Sequence, residues 1–342
     1  MTVLRVPGGI SLRFRPRALL VGLGCTVLVA CLGVLAIGAG EHPMAPDAVL
    51  RALTGDGTPA ETFIVRELRL PRLITALLVG AALALAGAVF QSLVRNPLGS
   101  PDMLGFTQGA ATGALTVVVF GGGSVALAGG AVAGGLATGA LIYGLTWRRG
   151  VEGFRLVLVG IGVSAILTGV NGYLLTRAEL MEAARAVLWL TGSLDGRGWR
   201  EALPLLAALA ILGPLVVFGC GPALRMMELG DDTAAALGVR VGTHRLLLLT
   251  SSVLLVSFAA AAAGPVSFVA LTAPQIARRL TRSPGPNLLP AAVLGAALLV
   301  GADWLAQRAF NDHQLPVGVV TGALGGGYLV WLLITQRRAG RL

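Results

Sequence analysis

From Leu73 to Phe90 the chain carries no charged residue, and Leu104 to Phe120 is equally bare. Uncharged runs of this kind recur along the sequence, many close to the roughly 20 residues a helix needs to cross the hydrocarbon core of a bilayer. A length of 342 residues would ordinarily suggest about two soluble domains. Only 12% of the residues are charged and 55% are hydrophobic, whereas a soluble domain carries about a quarter charged residues. The runs therefore specify an all-α polytopic membrane protein. The 49 glycines fit that reading, because small residues let membrane helices approach closely.

Ten candidate spans emerge, at 18–39, 71–92, 104–120, 124–146, 156–176, 202–219, 246–263, 265–278, 290–307 and 317–335. The eighth is short and interrupted by Pro274, so a broken or tilted helix covered by protein is expected there. A single transmembrane unit over 18–336 follows, with tails at 1–17 and 337–342. The "LVAC" stretch ending at Cys31 imitates a lipoprotein cleavage box. The apolar run continues past it, however, beyond the roughly 7–15 residues of a signal-peptide core, which favours an uncleaved first helix.

All 26 basic residues are arginine. With the N-terminus inside, nine of them (Arg51, Arg66, Arg69, Arg72, Arg177, Arg185, Arg197, Arg200 and Arg308) fall outside and the other seventeen inside. That asymmetry orients both termini toward the cytoplasm. Although the net charge is +10, the arginines flank apolar spans and form no basic run with interleaved aromatics, so nucleic acid is not an expected partner. Membrane lipid is.

Two outer segments are long enough to meet a partner, 40–70 and 177–201, and within the second Ala178 to Leu190 has the apolar spacing of a surface helix. The largest inner segment is 220–245. There Asp231 or Asp232 is expected to cap a short helix running through Leu237 and ended by Gly238. This small helix reads either as a docking knob or as a plain connector.

The sequence argues against several kinds of chemistry. Cys25, Cys31 and Cys220 form no C-x-x-C, and His42, His244 and His313 lie far apart, so neither a metal site nor a cofactor is expected. No catalytic set is visible, and without lysine the chain has no standard P-loop; any ATP that powers it must be hydrolysed by another subunit. Asp303 stands out as an acid within a span. It reads as an interfacial residue near the helix end, where Arg308 follows, or as a proton relay. The scarcity of mid-span carboxylates argues against an ion-coupled secondary carrier.

The stretch "RLPRLITALLVGAALALAGAVFQSLVRNPLGSPDMLGFTQGAATGA" (69–114) resembles the FecCD family of permeases, the membrane subunits of ABC importers for ferric siderophores, haem and vitamin B12. "WLTGSL" (189–194), "ELGDDTAAALGV" (228–239), "AGPVSFVALTAPQIARR" (263–279), "GADWLAQR" (301–308) and "LPVGVVTGALGGGYLVWLL" (315–333) extend the likeness in order. "TAPQIARR" is similar to the enterobactin-type branch. Departures are Gln275 where many relatives have histidine, Gly325-Gly326-Gly327 where Gly-x-Pro is common, and Gln307 where arginine often stands.

The resemblance implies a ten-transmembrane-helix bundle of the vitamin B12 importer permease type in the cytoplasmic membrane. It further implies ABC ATPase subunits, an external substrate-binding protein, a second permease subunit (identical or paralogous) and a ferric siderophore substrate. By the same resemblance, Arg69, with Arg72 and Arg308, would dock the binding protein. Asn96, Leu98, Gly153 and Phe154 would form the cytoplasmic gate, and Leu229, Gly230, Ala234, Leu237 and Gly238 would contact the ATPase.

Overall fold

A computed structural model describes residues 2–5, 11–14, 16–38, 44–146, 153–309 and 314–338. A two-stranded antiparallel ladder, β1 (Thr2–Arg5) with β2 (Ser11–Phe14), occupies the expected N-terminal tail and sets Thr2 opposite Phe14. The helices follow as α1 (Pro16–Gly38), α2 (Pro46–Thr54), α3 (Pro59–Phe63), α4 (Leu70–Val94), α5 (Phe106–Val119), α6 (Ser124–Thr146), α7 (Gly153–Arg177) and α8 (Leu180–Leu190). The series continues through α9 (Trp199–Pro214), α10 (Gly221–Met227), α11 (Asp231–Ala236), α12 (Val241–Ala263), α13 (Val269–Thr281), α14 (Leu288–Arg308) and α15 (Val317–Arg338).

Among the described residues, seven helical stretches are long and apolar enough to cross a membrane, and Phe106–Val119 and Val317–Leu332 are shorter apolar helices. Every expected span coincides with a helix, but the eighth is reduced to the amphipathic α13. Backbone conformation explains the reduction. Gly264 (φ 73°) ends α12, and Phe268 takes a left-handed φ of 69° before α13 begins. Pro274 sits inside α13 and is itself buried, so the freed backbone is covered by protein.

Two helices contain π segments, Ile64–Arg69 leading into α4 and Leu215–Cys220 leading into α10. Each ends two residues before a proline, Pro71 and Pro222. Proline has no amide hydrogen to give the preceding turn, and widening the ladder by one residue there keeps the helix continuous.

At the centre lies α4, which packs against α9, α12, α13 and α14 and buries most of its length. The helices α1, α6, α7 and α9 bury little of their apolar surface within the chain. Close approach fixes the centre. A Cβ on Gly80 would overlap the Gly295 carbonyl of α14, and one on Gly87 would overlap the Ala270 carbonyl of α13. Lipid tails are as apolar as leucine, so packing contacts of this kind drive helix association in place of the hydrophobic effect.

Replacing Gly87 by leucine is therefore expected to destabilise the protein by at least about 1–3 kcal/mol, the usual range for overpacking. Gly129→Ala meets open space and is expected to be neutral. Thermal unfolding in detergent compares the two.

Candidate functional site

Polar side chains gather at the two ends of α4, which carries Arg72 near its start and Arg95 at its C-cap, about 35 Å apart at the usual rise per residue.

At the first end, Arg72 donates to Asp303 of α14 through Nε (3.1 Å to Oδ2) and Nη2 (2.9 Å to Oδ1). Gln307, one turn on, adds a bond to Oδ2 at 2.8 Å. The Arg72 Nη1 also reaches Gln314 at 3.1 Å and approaches the Asp195 carboxylate at 3.6 Å. The Asp303 side chain is 5% exposed and that of Arg72 17%. Asp303 is thus a buried ion-pair partner joining α14 to α4, and not a free interfacial acid. Gln307 serves the same carboxylate.

The neighbouring "WLTGSL" segment is pinned by backbone bonds from Ser193 N–H to the Ala263 carbonyl (2.8 Å) and from Gly318 N–H to the Gly192 carbonyl (3.0 Å). A cavity of about 750 Å³ opens here between the end of α5, α8, this segment and residues 314–316, with Arg185, Trp189, Arg197 and Gln314 among its walls. Arg69 is half-buried and donates to the Ile37 carbonyl of α1 at 2.6 Å. Arg308 is exposed and stacks on Trp304, 4.8 Å from its ring centre. Of the three candidate docking arginines, Arg308 is the most open and Arg72 the most committed.

At the other end Arg95 adopts φ 55° and terminates α4. The elbow that follows is held by Asn96 Oδ1, which accepts from Leu98 N–H at 2.9 Å, and by Gln275 of α13, whose Nε2 donates to the Pro97 carbonyl at 2.7 Å. Gln91 ties the same two helices one turn deeper, through Nε2 to the Leu271 carbonyl at 3.0 Å. Asn96 and Leu98 are exposed.

The short turn Pro101–Leu104 packs on α7 where Gly160 makes room for Leu104. That leaves Gly153 and the 79% exposed Phe154 about two turns nearer the same end of the bundle. All four candidate gate residues therefore lie at this end. In the elbow, outside the spanning helices, Asp102 accepts from the Thr107 hydroxyl at 2.6 Å. Burial pushes its carboxyl up to about 6 while the hydroxyl pulls the other way.

Beside the elbow stands α11. Its N-cap is Gly230 (φ 118°), and Asp231 is the first helical residue instead of the expected cap. The carboxylate is already engaged. Arg245 Nη2 lies 2.8 Å and 2.7 Å from its two oxygens, and Arg95 Nη2 is 3.4 Å from Oδ1. Glu228, just before, pairs with Arg278 of α13 at 2.9 Å. Leu229 and Leu237 are 69% and 59% exposed, Gly238 is exposed and Gly230 half-buried. Ala234 is wholly buried within the chain, so it anchors α11 from below and presents nothing to a partner.

Some of this was readable in advance. Arg72 and Asp303 are opposite charges near matching ends of two otherwise uncharged runs, a signal for pairing. Nothing local pointed to Asp231 meeting Arg95 and Arg245.

The fold is thus a helical bundle with several apolar helices long enough to cross a membrane and a polar cluster at each end of its buried central helix. The chain belongs to the FecCD transport family, whose profile matches residues 27–335. It is 46% identical over 321 residues to the ferric enterobactin transport system permease protein of Escherichia coli, covering 92% of this chain and 96% of that one. It is 39% identical to the achromobactin transport system permease protein of Dickeya dadantii, covering 91% and 90%. Among solved structures it is similar to a metal-chelate type ABC transporter in an inward-facing conformation, with a TM-score of 0.79, 27% identity, and coverage of 92% of this chain and 99% of that one.

Two outcomes test this geometry. Arg72→Gln leaves Asp303 buried without a countercharge and is expected to destabilise the purified protein by about 3–5 kcal/mol, most of it recovered in the double variant Arg72→Gln/Asp303→Asn. For Asp102 the folded carboxyl lies above its unfolded value of about 3.9, so the stability of the neutral acid is full below about pH 4 and declines as pH rises to about 6. Asp102→Asn is accordingly expected to unfold at a higher temperature than the parent at pH 8 and at the same temperature at about pH 4.

Proposed function

We propose that the chain is one of two membrane subunits of an ATP-driven importer that carries a ferric siderophore inward across the cytoplasmic membrane. The observation that carries this reading is the likeness, over nearly the whole chain, to two siderophore permeases. Residues 18–336 act as one permease unit, and both termini face the cytoplasm, as the arginine asymmetry supports. An external binding protein delivers the substrate to the Arg72 end, where Arg69 and Arg308 meet its carboxylates. Exposed pairs of that kind steer and orient docking more than they add affinity. Arg72 supports that surface from beneath through Asp303.

At the opposite end, separate ATPase subunits grip α11 through Leu229, Gly230, Leu237 and Gly238. The lack of any lysine, and hence of a standard P-loop, is consistent with this division of labour. When ATP draws the two ATPases together, rigid-body movement of α11 shifts which side of the pathway is open. Asn96, Leu98, Gly153 and Phe154 narrow the inner mouth. The apolar spans consist mostly of Gly, Ala, Val, Leu and Thr, which offer little chemical selectivity, so substrate choice resides in the binding protein.

The test is uptake of iron-55-labelled ferric enterobactin, and of a ferric hydroxamate, by cells lacking this chain and by complemented cells. Uptake of one of them is expected to disappear with the chain. Leu237→Arg, at normal membrane level, is expected to restore less than about a tenth of it, because a buried arginine would have to be desolvated in the ATPase groove. Uptake independent of the chain for both compounds would remove the siderophore assignment and turn attention to cobalamin and haem. Normal uptake with the Leu237 variant would remove α11 as the ATPase contact.

A further inference from the structure

The contact with the ATPase explains where force enters but not how it reaches the gate. α11 is a helix of six residues, too short to act as a lever by itself, and of those six only Ala234 is buried in the core. Its other attachment is electrostatic. Asp231, at the start of α11, is held at both oxygens by Arg245, whose side chain is 11% exposed. One of those oxygens also faces Arg95 at 3.4 Å.

Arg95 is the residue at which α4 stops, in a left-handed conformation, and Asn96, Pro97 and Leu98 of the elbow follow directly. The elbow is tied to α13 by Gln275. That helix is in turn tied to the segment before α11 by the Arg278–Glu228 pair. The segment from Glu228 to Asp231 is therefore joined by two carboxylates to the ends of α4, α12 and α13. The two routes to the elbow differ: one runs directly through Arg95, the other through Arg278, α13 and Gln275.

We propose that Asp231 and Arg95 are positioning residues for energy coupling: the Asp231 carboxylate, seated by Arg245, transmits displacement of α11 to Arg95 and so to the Asn96–Leu98 elbow. The Arg278–Glu228 pair steadies the same segment against α13. This rests on the importer reading above, in which the ATPase moves α11. Partial exposure of Asp231 (37%) and Arg95 (48%) suits the role. A contact that must make and break each cycle cannot be a deeply buried pair, which costs too much to open. Arg245, by contrast, is bonded to both oxygens and keeps the Asp231 carboxylate aimed at Arg95.

The experiment uses the complete transporter, with its partner permease, ATPase and binding protein, reconstituted in liposomes. Iron imported and ATP hydrolysed are measured together. Arg95→Gln is expected to leave ATP hydrolysis within about twofold of the parent while iron imported per ATP falls about fivefold or more, the lower range of a coupling effect. Arg95→Lys, which keeps the charge, is expected to restore the ratio.

Asp231→Asn should lower the same ratio, and the double variant Arg95→Gln/Asp231→Asn should be no worse than the worse single change, because both break one link. An Arg95→Gln transporter with the parental ratio overturns the proposal, as does a double variant whose losses multiply. Should Asp231→Asn fail to assemble, the Arg95 pair of variants decides alone. A parental complex that imports no iron would instead refute the importer reading, so the two failures are separate.

Discussion

A Cβ-free approach of α4 to α14 and α13 sets the geometry on which both polar ends depend. At Gly80 and Gly295 the two backbones meet with no side chain between them, and at Gly87 the Ala270 carbonyl takes the place a methyl group would need. Only at such spacing can Arg72 reach Asp303 with two nitrogens at one end of α4. The same spacing lets Gln91 and Gln275 bridge α4 and the elbow to α13 toward the other. Packing in a bilayer has no hydrophobic drive between helices, so these short approaches and the polar contacts they permit are the principal adhesion of the centre.

The two ends use charge differently. The Arg72–Asp303 pair is nearly excluded from solvent and further bonded by Gln307, which makes it a fixed tie between α4 and α14. At the opposite end, the Asp231–Arg95 and Glu228–Arg278 pairs are partly exposed. Exposed pairs are worth about 0–1 kcal/mol each, weak enough to rearrange. The proposed function, with a stable face toward one partner and a yielding face toward another, calls for this asymmetry.

Two of the three departures noted in the sequence, Gln275 and Gln307, have physical partners in three dimensions. Gln275 is the donor to the Pro97 carbonyl, so its amide serves the elbow directly. In the Gly325-Gly326-Gly327 run, a Cβ at Gly325 would run into Phe268, whose backbone is left-handed, but Gly327, where proline is common, meets open space. Gln307 cannot supply a positive charge, and its amide goes instead to Asp303. Arg308 beside it is left exposed.

Hydrophobic run length and helical spacing determined the helical membrane class, the course of the long spans, the helix α8 and the shortness of the eighth span, although α13 runs unbroken through Pro274. These features follow from properties local in sequence: apolar length and helical spacing. The pairing of Thr2–Arg5 with Ser11–Phe14, the π turns before Pro71 and Pro222, and the burial of Ala234 were not anticipated. A strand ladder, a one-residue slip and the inner face of a six-residue helix leave little periodic trace. The sequence hinted at a partner for Asp303, but tertiary structure decided which arginines Asp303 and Asp231 meet. Each carboxylate meets an arginine far away in the chain, and which charges meet is set by how closely the glycine-lined helices pack, a property no single segment carries.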